Sequence, residues 1–212
     1  MNEEGPVEEG HGRDTAVRGP RTPAVRDNLR HQWEKDRARA PRDERAETGA
    51  TERDTGLDTD DLVFHARYRE ITASEDLAAA FGVPEGTLLL ERVYRTGRAG
   101  AQVPLSLVTS YLVRDMVASN PDLLDEAKEP WPGGTQNQLY TVGIEVDRVE
   151  ERVTARPPTP GEARELDLPA GVSVLLLRKT YRDVHDRVVN VSDVTMPADR
   201  TELLFVTRLE RW

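Results

Sequence analysis

A chain of 212 residues has room for one mid-sized domain with an extension or for two small ones, and a hydrophobic content of 37% is enough to build a core. A formal net charge of −10 excludes a protein that coats nucleic acid by bulk electrostatics, although a local basic patch stays open. With no cysteine in the sequence, disulfide frameworks, thiolate metal sites and cysteine nucleophiles are excluded together, which suits a reducing cytoplasm.

The acidic opening "MNEEGPVEEG" is the opposite of a signal-peptide start. No apolar run nears the roughly 20 residues of a membrane-spanning helix, so a soluble, cytoplasmic protein without a membrane partner is expected. Residues 1–60 are dense in alternating charge and poor in aliphatic periodicity, which predicts a charged, partly disordered linker or arm. One short helix fits residues 28–38, with Leu29 and Trp33 on one face, but that stripe is too thin to fold alone. A globular domain is expected over residues 61–212.

That domain opens on "LVFHARYREI", where Leu62, Phe64 and Ala66 alternate as in a strand. In "TASEDLAAAFGVPEG", Thr72 and Glu75 have capping-box spacing ahead of an Ala-rich helix that stops at Gly82. A strand "TLLLERVYR", a loop "TGRAGAQ" and a strand "VPLSLVTSYLV" follow. The stretch "DMVASNPDLLDEAK" reads as helix, with Asn120-Pro121 starting its second part, and "NQLYTVG" as a further helical turn after a loop. "IEVDRVEERVTARPP", with Ile144, Val146 and Val149 among charges, fits a half-exposed strand.

The first order then returns. Thr159 and Glu162 make a second capping box with Pro160 at the first helical position, and a Pro-x-Gly turn leads to "VSVLLLRKTYR" and "VVNVSDVTM". Thr72 and Thr159 are 87 positions apart, as are Leu90 and Leu177; only the Pro-x-Gly turn slips, by two. Matched cap, turn, Leu triplet and Tyr-Arg ending in one order predict an internal duplication, with two hairpins in one antiparallel sheet and helices over it. Leu77, Phe81, Leu166 and Leu168 are the expected helical core residues.

Of catalytic signatures the chain carries no phosphate-binding Gly-rich loop, no nucleophile elbow and no zinc-protease motif. Its four histidines are scattered and read as surface or linker residues, so neither a metal site nor a cofactor is expected. What remains is cationic and hydroxyl chemistry on the repeated strands. Arg92 and Tyr94 project from one face, with Val93 and Arg95 on the other, and the matching residues of the second copy are Lys179 and Tyr181. An arginine can grip a carboxylate or phosphate with two parallel hydrogen bonds, and a tyrosine supplies a flat polar wall.

The series "EDLAAAFGVPEGTLLLERVYR", "SYL", "QLY", "DLPAGVSVLLLRKTYRD" and "VVNVSDV" resembles the UTRA domain, the effector-binding half of HutC-type regulators in the GntR superfamily. The likeness runs from about Asp61 to the C-terminus, and the order of the motifs is more specific than any one of them. It implies an α/β fold of the α+β kind, an antiparallel sheet flanked by helices and related to chorismate lyase. It also implies a small-molecule effector and a homodimer. Effector-binding positions are implied at Arg92, Tyr94 and Tyr140, with Ser110, Asn190 and Ser192 beside them, because the family's L-x-R-x-R strand and S-L-Y segment line its site.

Here Tyr94 stands for the second arginine and Gln138 for the serine, while Val108 and Asn190 occupy positions where many relatives place acids on sugar hydroxyls. A pocket that keeps Arg92 without those acids favours an anionic, partly hydrophobic effector over a sugar phosphate. Lys179 replaces the arginine in the second copy, so the ligand is expected beside the first. The segment "GHGRDTAVR" resembles the wing that closes the family's winged helix-turn-helix, and only nine residues precede it. The DNA-reading helices are therefore expected to be missing, with DNA reached only through a winged-helix domain absent from this chain.

The resemblance points to a ligand-sensing domain of a transcriptional regulator, acting by population shift, and not to an enzyme. Two alternatives are a stand-alone modulator that dimerises with full-length paralogues and a lyase-like enzyme acting on a chorismate-like acid.

Overall fold

The computed structural model describes residues 23–101 and 103–210. The wing-like "GHGRDTAVR" lies outside the described residues. The described chain opens with strand β1 (Ala24–Asp27) and helices α1 (Arg30–Arg37), α2 (Arg42–Glu47) and α3 (Ala50–Thr55). Strand β2 (Leu62–Thr72), helix α4 (Glu75–Phe81) and strands β3 (Leu88–Arg98) and β4 (Pro104–Val113) form a first unit. Helices α5 (Arg114–Val117) and α6 (Gly134–Thr141) lie in the connection. A second unit repeats the first as β5 (Val146–Arg156), α7 (Pro160–Glu165), β6 (Val174–Asp183) and β7 (Val188–Pro197), and β8 (Thr201–Leu204) follows.

Six strands make one antiparallel sheet in the order β2-β3-β4-β7-β6-β5. That order reads the same from either edge, with the two units meeting where β4 pairs with β7 and Ser110 faces Ser192. The duplication visible in the sequence is thus a symmetry of the sheet. Arg92 faces Ser110 and Lys179 faces Ser192, so these two cations occupy equivalent places.

Two sequence expectations change in detail. The first helix is capped by Ser74, whose hydroxyl accepts from the Leu77 amide at 3.5 Å, while Thr72 ends β2. The true cap therefore lies 85 positions before Thr159, the same offset that separates Gly86 from Gly171, so the turn does not slip alone. The Thr159–Glu162 capping box forms as expected. The expected helix over residues 115–128 is instead the short α5 and two 3-10 turns, Pro121–Leu124 and Glu126–Lys128. Asn120 and Asp125 accept from the amides of Asp122 and Ala127, local bonds that compete with helix continuation, and Pro121 has no amide to donate.

Helix α4 covers one face of the sheet, where Ala78 and Phe81 pack on Leu89, Val113 and Val191. On the other face Leu90, Leu112 and Tyr181 pack with Leu123 and Leu139 from the connection. Of the expected helical core residues, Phe81 and Leu166 are buried and Leu77 and Leu168 half-buried. A register shift between Val146 and Arg148 explains why Val146 and Val149 both reach this core despite their odd spacing.

Within the stretch expected as a charged arm, residues 24–55 form β1 and α1–α3. Strand β1 pairs in parallel with β8. Gln136 Nε2 donates to the His31 carbonyl at 2.9 Å and Asn137 Nδ2 to the Ala38 carbonyl at 2.6 Å, which seats α1 on α6.

Candidate ligand-binding site

Arg92 sits mid-strand under the connection and is 1% exposed. Its Nη1 donates to Gln138 Oε1 at 2.8 Å, and its guanidinium carbon lies 5.7 and 5.8 Å from the ring centres of Tyr68 and Tyr94. Its Nε and Nη2 have no acceptor aligned with them. Burial works against the charge, but the Tyr94 and Tyr68 side chains and the Glu129 carboxylate more than offset it, so the arginine's pKa is raised.

Glu129 gathers the other polar groups. Its Oε1 accepts from the Tyr68 hydroxyl, from the Tyr94 hydroxyl at 3.1 Å and from Gln138 Nε2 at 2.9 Å, and its Oε2 accepts from the Trp131 amide at 2.6 Å. Burial pushes the Tyr68 phenol up to about 12 and the Tyr94 phenol well above its ordinary value, so both remain hydroxyl donors at neutral pH.

Above this network lies a cavity of about 490 Å³, a size suited to a small organic molecule. Its walls come from three parts of the chain: Phe64, Tyr94 and Val108 on the sheet, Glu129, Trp131 and Gln138 in the connection, and Arg37 and Arg45 on α1 and α2. The Phe64 and Tyr94 rings meet with centroids 5.6 Å apart.

Of the six residues singled out in the sequence, Tyr94 lines this cavity and Arg92 lies against its wall through Tyr94 and Gln138. Ser110, Asn190 and Ser192 are buried in the sheet seam instead. Asn190 Nδ2 donates to Ser110 Oγ at 2.7 Å, and the Ser192 hydroxyl donates to Asn190 Oδ1 at 2.8 Å. Tyr140 is not brought to Arg92: it is 45% exposed, with the Arg39 guanidinium 5.4 Å from its ring centre. Two helical steps turn about 200°, so α6 points Gln138 inward and Tyr140 outward. Glu129, Trp131, Arg37 and Arg45 carried no sequence signal beyond their residue types, because they lie in loops or in the charged arm.

The equivalent basin of the second unit is largely occupied by the arm, which leaves a cavity of about 120 Å³ beside Lys179. Lys179, 9% exposed, donates to the Tyr181 hydroxyl at 3.2 Å. Around it stand Arg26 from β1, Arg30, His31 and Glu34 from α1, Asp54 from α3 and Glu151 from β5. His31, expected at the surface, is half-buried here with Nε2 2.9 Å from Glu151. Burial and the charges of Arg26 and Arg30 lower the Lys179 pKa to about 7, against the pull of Glu34 and Glu151.

Unfolding restores an ordinary lysine and takes up a proton above that pH, so this group makes stability rise from pH 7 upward. Lys179→Met is accordingly expected to gain over the parent at pH 7 and to lose roughly 2 kcal/mol of that gain by pH 9, in urea melts at both pH values. A gain that did not change between the two pH values would show that Lys179 stays charged.

The match to known proteins agrees with this geometry. The UTRA domain family model matches residues 65–202. An uncharacterised HTH-type transcriptional regulator of Streptomyces coelicolor is 35% identical over 120 residues, which cover 56% of this chain and 44% of that protein. This chain thus spans less than half the length of that relative. The crystal structure of a protein assigned to the GntR family of transcriptional regulators superposes with a TM-score of 0.64 at 22% identity, covering 76% of this chain and 64% of that one. The effector domain of PhnF from Mycobacterium smegmatis gives a TM-score of 0.57 at 22% identity, covering 70% of this chain and 89% of that one. A six-stranded sheet of two β-α-β-β units, and a family match over most of its length, assign this chain to the UTRA domain family.

Proposed function

We propose that this chain is the ligand-sensing domain of a GntR-type transcriptional regulator and binds a small molecule in the cavity beside Arg92. The observation that carries the reading is the cavity itself: behind its wall, in contact with Tyr94 and Gln138, lies the buried Arg92 with two donors that have no aligned acceptor, next to two neutral tyrosines. Such a site is built to bind. One of its carboxylates, Glu129, is held by four hydrogen bonds, a fixed position that suits a binding site.

In the full-length protein, the ligand would shift the population between two arrangements of the domain and so alter DNA binding by a winged helix attached to it. The active unit would be a homodimer in the cytoplasm, where the DNA is. Among the described residues no helix is long and apolar enough to cross a membrane.

A thermal-shift screen of this chain against a metabolite collection tests the reading. Compounds that raise the melting temperature are expected to lose that effect in Tyr94→Phe and Trp131→Ala, both of which line the cavity. Stabilisation untouched by both substitutions would place the ligand elsewhere. A pyruvate-release assay on chorismate is expected to stay at background, and turnover there would replace sensing by catalysis.

A further inference from the structure

The cavity wall carries three acids, Glu34, Glu52 and Glu129, and two cations, Arg37 and Arg45, and the cations hold the unused hydrogen-bond donors. Its three acids already have partners. Glu34 is bound by Arg30 at 3.4 Å, Glu52 accepts from the Thr59 hydroxyl at 3.2 Å, and Glu129 is held as described. The two cations of the wall, Arg37 and Arg45, make no ion pair among the described residues.

Arg37 Nε and Nη1 and Arg45 Nε are buried without an acceptor. Arg37 stacks on Trp33 at 4.3 Å, and Arg45 Nη1 donates only to the Ala40 carbonyl at 3.2 Å. Burial lowers the Arg37 pKa, and the nearby Arg45 charge adds to that even against Glu34 and Glu52. Two partly desolvated guanidinium groups beside one cavity, with buried N–H groups that lack an acceptor, suit a further anionic acceptor placed between them.

Part of the wall is apolar, from Leu62, Phe64 and Val108 to Pro130, Trp131 and Pro132, while Thr51, Thr59, Thr96, Thr135 and Gln138 add polar groups beside it. Building on the sensing function proposed above, we infer that the ligand is a small organic acid whose anionic head is clamped by Arg37 and Arg45 and whose apolar body lies between Phe64 and Trp131. Because both arginines belong to the arm, the bound acid ties α1 and α2 to the sheet. The signal then leaves the domain through the arm.

The test is ligand-observed and protein-observed NMR on the folded chain with a panel of aryl and alkyl carboxylates, each paired with its primary amide, plus aryl phosphates and glucosamine 6-phosphate. Apolar acids are expected to shift the Trp131 indole resonance and to bind about tenfold or more tightly than their amides. That preference is expected to vanish in R37Q/R45Q and to survive in Arg39→Gln, whose exposed side chain lies outside the cavity wall. Should the double variant fail to fold, the single Arg45→Gln on α2, whose other residues are exposed, carries the same comparison.

Aryl phosphates binding in place of carboxylates would still support the clamp and identify a phosphate head. Equal binding of acid and amide, or a preference that persists in R37Q/R45Q, overturns the clamp and leaves the sensing function standing. Tightest binding by glucosamine 6-phosphate overturns the apolar body. If no panel member, charged or neutral, perturbs Trp131, the clamp and the sensing function both fall.

Discussion

Arg92→Ala is expected to destabilise the domain by about 3 kcal/mol or more and to abolish ligand binding, as read by urea melts and calorimetric titration. The guanidinium is the cation nearest the Glu129 network, to which it connects through Gln138, and it fills the space between two tyrosine rings. Alanine removes charge and volume together, leaving Glu129 uncompensated and a void beneath the cavity. Arg92→Met keeps most of the volume and also removes two buried donors that had no acceptor. It is therefore expected to cost clearly less stability than alanine and still to lose binding. Equal losses in the two variants would mean that charge alone matters, and retained binding in Arg92→Met would remove Arg92 from the ligand's contacts.

The sheet was legible in the sequence because its signals are local and repeated. The alternation around Leu90 and Leu177, the Pro-x-Gly turns and the Thr159–Glu162 cap each act within a few residues, and two copies of one order confirm each other. The site was legible only where it lies on those strands. Arg92 and Tyr94 share a face because strand geometry requires it. Gln138 instead of Tyr140 faces inward because α6 sets the phase of that segment, and a three-letter motif does not fix that phase. Glu129 reaches Tyr68 and Tyr94 from a Pro-rich loop, a placement that depends on the whole connection closing over the sheet.

The arm was opaque for a different reason. It docks through polar contacts, side chain to carbonyl at Gln136 and Asn137, Lys35 Nζ to the Val146 carbonyl and His31 beside Glu151, which leave no apolar period to read. The His31–Glu151 contact falls on the second of two equivalent basins. One unit of the duplication has its basin open beside Arg92, while the other has its basin largely occupied by α1 around Lys179. The divergence of Arg92 into Lys179 thus accompanies a division of labour, a ligand in one basin and the chain's own arm in the other. A lysine whose pKa falls to about 7 can accept two neighbouring arginines that a third, permanent guanidinium would repel.

Arg30→Ala is the substitution expected to separate those roles. Arg30 bonds Asp54 on α3 and Glu34 on α1, and its charge is the main force holding the Glu34 pKa far below the usual carboxylate range against burial. Removing it takes the principal partner from two carboxylates, leaving Asp54 with Arg26 at 4.0 Å and Glu34 with His31 at 3.5 Å, and breaking a buried pair costs up to about 3–5 kcal/mol. The structure need not pay all of that through global unfolding, since the arm can lift off and return both acids to water.

The expected outcome is faster amide exchange and proteolytic cleavage confined to residues 24–55, with β3, β4, β6 and β7 still protected. Ligand binding is expected to weaken in parallel, because Arg37 and Arg45 leave with the arm. Arg53→Ala provides the contrast: its pair with Asp27 is about a quarter exposed on each side, so a loss under about 1 kcal/mol and an undisturbed arm are expected. If Arg30→Ala instead lowered protection evenly across arm and sheet, the arm would be an integral part of the fold and could not serve as a separable element that reports on the ligand.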